Sequence, residues 1–171
     1  MIKLKEIIKT DKGGSFKVKM SWKEAKKLSD EVKSILEKNG FKNIIVAGSI
    51  IRKKPEVGDI DIMAEGDINK LRSIKEFDIK RQGDESSTFI YKGQQVNLYR
   101  YESDYKGAML FYLTGPNFYS IAYRTKAKKL GYTLNQKGLF DKNGKKIAGE
   151  TEESIYKSLG KNWKSPELRG K

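Results

Sequence analysis

Two carboxylates stand two residues apart inside an apolar run, Gly58-Asp59-Ile60-Asp61-Ile62-Met63, and a glycine-serine turn precedes them at Gly48-Ser49-Ile50-Ile51-Arg52. The alternation predicts a strand. Its period of two points Asp59 and Asp61 to one face and sends Ile60 and Ile62 into a core. Neighbouring like charges repel each other there, and a divalent cation between them makes the arrangement tolerable. The run Ile44-Ile45-Val46-Ala47 ahead of the turn reads as a short, fully buried strand. At the turn, Gly48 permits close backbone approach to a phosphate, Ser49 adds a hydroxyl donor, and Arg52 can fork onto phosphate oxygens. The plain alternative is a solvated strand edge that carries two acids.

Composition narrows the chemistry. The 171 residues include no cysteine and no histidine, which excludes disulfides, thiol nucleophiles, thiolate or imidazole zinc sites and Ser-His-Asp triads. Any metal here is held by oxygen ligands, which suits Mg²⁺, Mn²⁺ or Ca²⁺. The formal net charge of +14 calls for an anionic partner, with nucleic acid ahead of a membrane surface. No apolar run approaches the length of a membrane span, and no signal peptide is apparent. The expectation is a soluble, intracellular protein without a membrane partner, acting as a monomer.

Periodicity sketches the elements. Two short strands around Asp11-Lys12-Gly13-Gly14 open the chain. Ser21 and Glu24 form a capping box for a helix whose face carries Trp22, Ala25, Leu28, Val32, Ile35 and Leu36, with a stop at Asn39-Gly40. A charged helical segment is expected near Ile68 to Phe77. A hairpin runs from Thr88 to Tyr99 and turns at Lys92-Gly93. Pro116 starts a helix that reaches about Leu130 and ends at Gly131. A second hairpin turns near Asn143-Gly144, Thr151 opens a last short helix closed by Gly160, and an extended tail follows.

This order of strand, Gly-Ser turn and Asp-x-Asp resembles the nucleotidyltransferase signature of polymerase beta-like enzymes. Phe111-Tyr112-Leu113-Thr114-Gly115 is similar to the Tyr-Phe-Thr-Gly segment of family X DNA polymerases, with Leu113 in place of the usual Phe. Residues 134–140 and the closing Ser165-Pro166-Glu167-Leu168-Arg169 also resemble that family. The likeness covers residues 42–171 well and the amino-terminal stretch poorly. The pattern of elements reads as an α+β architecture, and the likeness implies the same fold. Residues 1–105 would form a nucleotidyltransferase palm, a mixed sheet with helices, and residues 106–171 a small helix-and-hairpin thumb-like subdomain. Neither a lyase domain nor a helix-hairpin-helix module is expected. The implied activity is DNA-directed addition of dNMPs to a primer 3′ end in gapped or nicked DNA, as in repair. By resemblance, the catalytic positions are Asp59, Asp61 and Asn97. Asp59 and Asp61 would hold two Mg²⁺ or Mn²⁺ ions. Gly48, Ser49, Arg52, Tyr112, Gly115 and Asn117 would bind the dNTP. Arg124, Lys126, Lys128 and Lys129 would contact DNA, with Lys3, Lys5, Lys17 and Lys19 as weaker candidates.

One departure matters. The family places a third carboxylate on the strand that aligns with Gln95-Val96-Asn97-Leu98-Tyr99, and this chain has Asn97 there. Asparagine keeps the shape but supplies neither charge nor base. Three accounts stay open: an introduced substitution that traps substrate, a natural non-catalytic protein, or compensation by Glu102 or Asp104. Two rival functions stay open as well. One is a basic DNA-binding module with a relic site. The other is a minimal nucleotidyltransferase acting on RNA, a protein or a small molecule.

Overall fold

The computed structural model describes Ile7–Ile8 and residues 17–171 and divides the chain into two compact units, residues 1–100 and 101–171. The amino-terminal turn expected at residues 11–14, the strand residues Ile2 and Leu4, the cations Lys3 and Lys5 and the side chain of Lys17 lie outside the described residues.

In the first unit, strands β1 (Ile7–Ile8) and β2 (Lys17–Val18) pair antiparallel. Strand β3 (Met20–Ser21) leads into helix α1 (Trp22–Lys38). The Ser21 side chain accepts from the Glu24 backbone N–H at 3.2 Å, and Glu24 accepts from the Ser21 N–H at 2.9 Å, completing the capping box. Strand β4 (Lys42–Val46), the short helix α2 (Gly48–Ile51), β5 (Glu56–Val57) and β6 (Ile60–Glu65) follow. After a 3-10 turn come β7 (Asp78–Gln82), β8 (Ser86–Tyr91) and β9 (Gln94–Arg100).

Five of these strands form one sheet in the order β4-β6-β9-β8-β7, with β6 and β9 parallel and the other neighbours antiparallel. Ile60, Ile62 and Ala64 of β6, Val96 and Leu98 of β9 and Phe89 of β8 share one core with Ala25, Val32 and Leu36 of α1. Period two therefore places Asp61, Asn97 and Thr88 on the sheet's other face.

Three local expectations change. The charged helical segment expected near Ile68 to Phe77 is a shorter 3-10 helix (Ile68–Ser73) capped by Asp67. Its buried residues Ile68 and Leu71 stand three apart, the 3-10 repeat, and Ile74 and Phe77 beyond its end are buried as well. Strand β7 was not anticipated, because Asp78-Ile79-Lys80-Arg81-Gln82 has the charged character of a sheet edge. Ile45 and Val46 are half-buried rather than fully buried, since β4 is the opposite edge.

The second unit contains α3 (Lys106–Thr114), α4 (Asn117–Lys129), a three-stranded meander β10 (Thr133–Asn135), β11 (Gly138–Phe140) and β12 (Lys146–Ala148), and α5 (Glu152–Ser158). Helix α3 is buried on nearly every side, so it lacks the amphipathic period that would announce it. Gly107 lets it press on the α5 entry, where a Cβ would fall 2.1 Å from the Thr151 carbonyl carbon. The tail is more than extended chain. A 3-10 turn (Pro166–Leu168) delivers Arg169, 4% exposed, to an ion pair with buried Glu152. The Arg169 guanidinium also lies over the rings of Phe111, Tyr119, Tyr156 and Trp163 at 5.6 to 6.0 Å. Among the described residues no helix is long and apolar enough to cross a membrane.

Candidate active site

Sheet register assembles the centre of the site. Parallel pairing of β6 with β9 sets Asp61 opposite Asn97, and antiparallel pairing of β9 with β8 sets Thr88 opposite Asn97. Asp59 precedes β6 by one residue, and its carboxylate reaches the same point as that of Asp61. The Asn97 Nδ2 donates to Asp59 Oδ2 at 3.2 Å and to Asp61 Oδ1 at 3.0 Å. One amide nitrogen thus occupies the position between two carboxylates that a cation would take. The other end of the amide is also engaged. Asn97 Oδ1 accepts from Thr88 Oγ1 at 3.1 Å and from Gln95 Nε2 at 3.2 Å.

The glycine-serine turn folds onto this acid pair. β4 runs antiparallel to β6, and the Ala47 N–H donates to the Asp61 carbonyl at 2.8 Å. Gly48 then takes φ +64°, and a Cβ there would lie 2.5 Å from Asp61 Oδ2. Glycine is needed twice over, for its left-handed backbone and for the close approach. The Trp22 indole N–H donates to the Ile50 carbonyl at 2.9 Å and ties α2 to α1. Arg52 Nη2 reaches the Ser49 hydroxyl at 3.4 Å. Burial lowers the pKa of the Arg52 guanidinium, and the Asp61 charge opposes that shift.

Six sequence-expected residues therefore lie in the first unit: Gly48, Ser49, Arg52, Asp59, Asp61 and Asn97. Direct geometry gathers Gly48, Asp59, Asp61 and Asn97, while Ser49 and Arg52 form an adjoining pair. Thr88 and Gln95 were missed. The hairpin register and strand period available in the sequence would have found both, because they share the face of residue 97.

The donor set fits one divalent ion held by two carboxylates. Among the described residues no group of three or more carboxylates that could hold a metal ion forms. Of the possible substitutes for a third acid, Asp104 is exposed and faces Lys146 at 3.5 Å within the second unit.

The remaining expected residues belong to the second unit. Tyr112 is 42% exposed, whereas its neighbours Phe111 and Leu113 are buried, so it is not a core aromatic. Gly115 ends α3 with φ +59°. Asn117 is the exposed first residue of α4. Arg124 and Lys128, four residues apart, share one exposed face of α4; Lys126 is half-buried and Lys129 exposed. The four cations thus do not form a single stripe.

Comparison with known proteins identifies the class. The DNA polymerase beta thumb family matches residues 109–170. The chain is 30% identical over 169 residues to the repair DNA polymerase X of African swine fever virus (strain Badajoz 1971 Vero-adapted), covering 85% of this chain and 97% of that protein. The same polymerase from isolate Tick/Malawi/Lil 20-1/1983 is 30% identical over 143 residues, covering 75% and 82%. Polymerase beta of Leishmania infantum, in a ternary P/T complex, shares the fold with a TM-score of 0.77 at 18% identity, over 90% of this chain and 77% of that one. The fold is that of a nucleotidyltransferase, and the chain belongs to the family X repair DNA polymerases.

Proposed function

We propose that the chain extends primer 3′ ends at gaps or nicks in DNA, using a divalent ion, Mg²⁺ or Mn²⁺, held by Asp59 and Asp61. One observation carries this reading: both carboxylates converge on the Asn97 Nδ2, at 3.2 and 3.0 Å, on the sheet face away from the core. When bound, the ion supplies Lewis-acid stabilisation of charge on the phosphoryl oxygens. The chain's own groups do the rest. The Ser49 hydroxyl and the Arg52 guanidinium bind the β and γ phosphates, and Arg52 offsets the charge that gathers on the leaving pyrophosphate. The left-handed backbone at Gly48 keeps the turn against Asp61. Asn97 offers no base to the primer hydroxyl, so the step in which the 3′ oxygen attacks the α-phosphate is slow.

In the second unit, Tyr112, Gly115 and Asn117 are assigned to the nucleotide, and Arg124, Lys128 and Lys129 to DNA, with Lys126 a weaker member. The exposure of Tyr112 and Asn117 supports the first assignment. The primer-template content of the Leishmania complex is in keeping with the second.

The test is primer extension opposite a one-nucleotide gap. Asn97→Asp restores the third carboxylate and should raise the rate by about 100-fold or more. Equal rates for the two proteins would remove position 97 from the mechanism. A relic DNA-binding module is the second reading, favoured by the fully engaged amide of Asn97. It requires DNA binding indifferent to Mg²⁺ and dNTP, and a dNTP-dependent tightening rules it out.

A further inference from the structure

An asparagine beside a metal site has two ends, and which end faces the site decides what it does. The carbonyl oxygen ligates cations; the amide nitrogen only donates. In this chain both ends are committed. Oδ1 accepts from Thr88 Oγ1 at 3.1 Å and Gln95 Nε2 at 3.2 Å, while Nδ2 donates to Asp59 at 3.2 Å and Asp61 at 3.0 Å. Turning the amide over would set its nitrogen against the Gln95 N–H and its carbonyl against two carboxylates, while the Thr88 hydroxyl would have to rotate from donor to acceptor. Three of the four favourable contacts would become unfavourable.

We infer that Thr88 and Gln95 are positioning residues that lock the Asn97 amide toward the acid pair, so that residue 97 acts as an internal donor bridging Asp59 and Asp61 and is withheld from divalent-ion ligation. This rests on the reading of Asp59 and Asp61 as the ion-holding pair. The lock arises from the sheet itself. Thr88 is the cross-strand partner of Asn97, and Gln95 is two residues earlier on the same strand face. The amide relieves the repulsion between the acids without a bound ion. It also engages one oxygen of each carboxylate, and an ion must compete with it there.

The same two donors have the opposite meaning for a carboxylate at position 97. A carboxylate is symmetric, with an acceptor at either end. Thr88 and Gln95 would hold one oxygen and thereby aim the other at the ion. Removing the donors therefore frees a ligand in the Asn97 chain and loosens one in the Asn97→Asp chain.

The experiment measures Mn²⁺ binding to the full chain by calorimetry, with neither nucleotide nor DNA present. Thr88→Val combined with Gln95→Met removes both donors with little change in size. In the Asn97 background this pair should tighten Mn²⁺ binding by roughly fivefold, the effect expected of one freed polar ligand. In the Asn97→Asp background it should weaken binding or leave it unchanged. Thr88→Ser keeps the hydroxyl, and together with native Gln95 it should keep the native affinity. If the double variant fails to fold, Thr88→Val and Gln95→Met are measured singly, and each should shift affinity in the same direction by less. No tightening in the Asn97 background, or equal tightening in both backgrounds, overturns the lock. Asp61→Asn separates the two levels of the argument. If it leaves native Mn²⁺ binding unchanged, the ion-holding role of the acid pair fails. If it abolishes that binding while the donor-less chain shows no tightening, the lock alone fails.

Discussion

Gly48 illustrates how much a single residue carries. Its φ of +64° costs a side-chain-bearing residue strain, and the space a Cβ would need is taken by Asp61 Oδ2 at 2.5 Å. Gly48→Ala should lower stability by more than about 1 kcal/mol, measured by urea unfolding. It should also weaken Mn²⁺ binding, because the Asp61 carboxylate must move to make room. Native metal affinity in Gly48→Ala would mean that the close approach has no role in holding the ion. Asn97 carries as much by a different route. Its shape is that of the expected acid, so the loss is one of charge and basicity, and the structure shows that even its carbonyl is turned away from the acid pair.

At the scale of elements, the carboxy-terminal tail is the clearest case of structure that local pattern does not announce. Arg169 enters the second unit through the 3-10 turn at Pro166–Leu168 and pairs with Glu152 at the start of α5. Both partners are more than nine-tenths buried, at 4% and 6% exposure. Burial pushes the Glu152 carboxyl upward from 4.5, and the Arg169 charge opposes that shift. Arg169→Ala should cost about 3–5 kcal/mol, the penalty for stranding one partner of a buried pair. The sign of its pH dependence follows. With the opposing charge gone, the folded-state pKa of Glu152 rises further above its unfolded value. The variant then keeps its remaining stability near pH 4.5 and loses more of it as pH rises toward neutrality. Thermal melts across that range check the direction, and a melt that improves with rising pH would contradict it.

At the scale of the whole molecule, the net charge of +14 sets the terms on which the chain meets DNA. Each phosphate neutralised releases counterions, so the logarithm of the affinity falls linearly with log salt, at about 0.9 per contact on duplex DNA. Arg124 and Lys128 share the exposed face of α4, and replacing either with alanine should reduce the salt slope by about 1. Lys126 is half-buried on that helix, and its replacement should change the slope less. Binding titrations at several salt concentrations measure all three, and equal slopes for native chain and variants would move the DNA contact off α4.

Much of this was readable from the chain. The capping box at Ser21, the Lys92-Gly93 hairpin, the start of α4 after Pro116 and the period-two placement of Asp59 and Asp61 are local signals. They depend on backbone conformation and on contacts a few residues apart. The strand period and the glycine-serine turn placed Gly48, Ser49, Arg52, Asp59 and Asp61 in one candidate site, and the resemblance to family X added Asn97. The all-round burial of α3, the charged edge strand β7, the clasp of Arg169 and the engagement of Asn97 at both ends were decided by tertiary structure. Each depends on what a distant segment brings to the same point: a neighbouring helix, a sheet edge, a buried carboxylate, or the acid pair that β6 sets beside Asn97. Residue type limits which hydrogen bonds a side chain can make, but only packing decides which partner it meets. That is why the chemistry of position 97 was legible and its orientation was not.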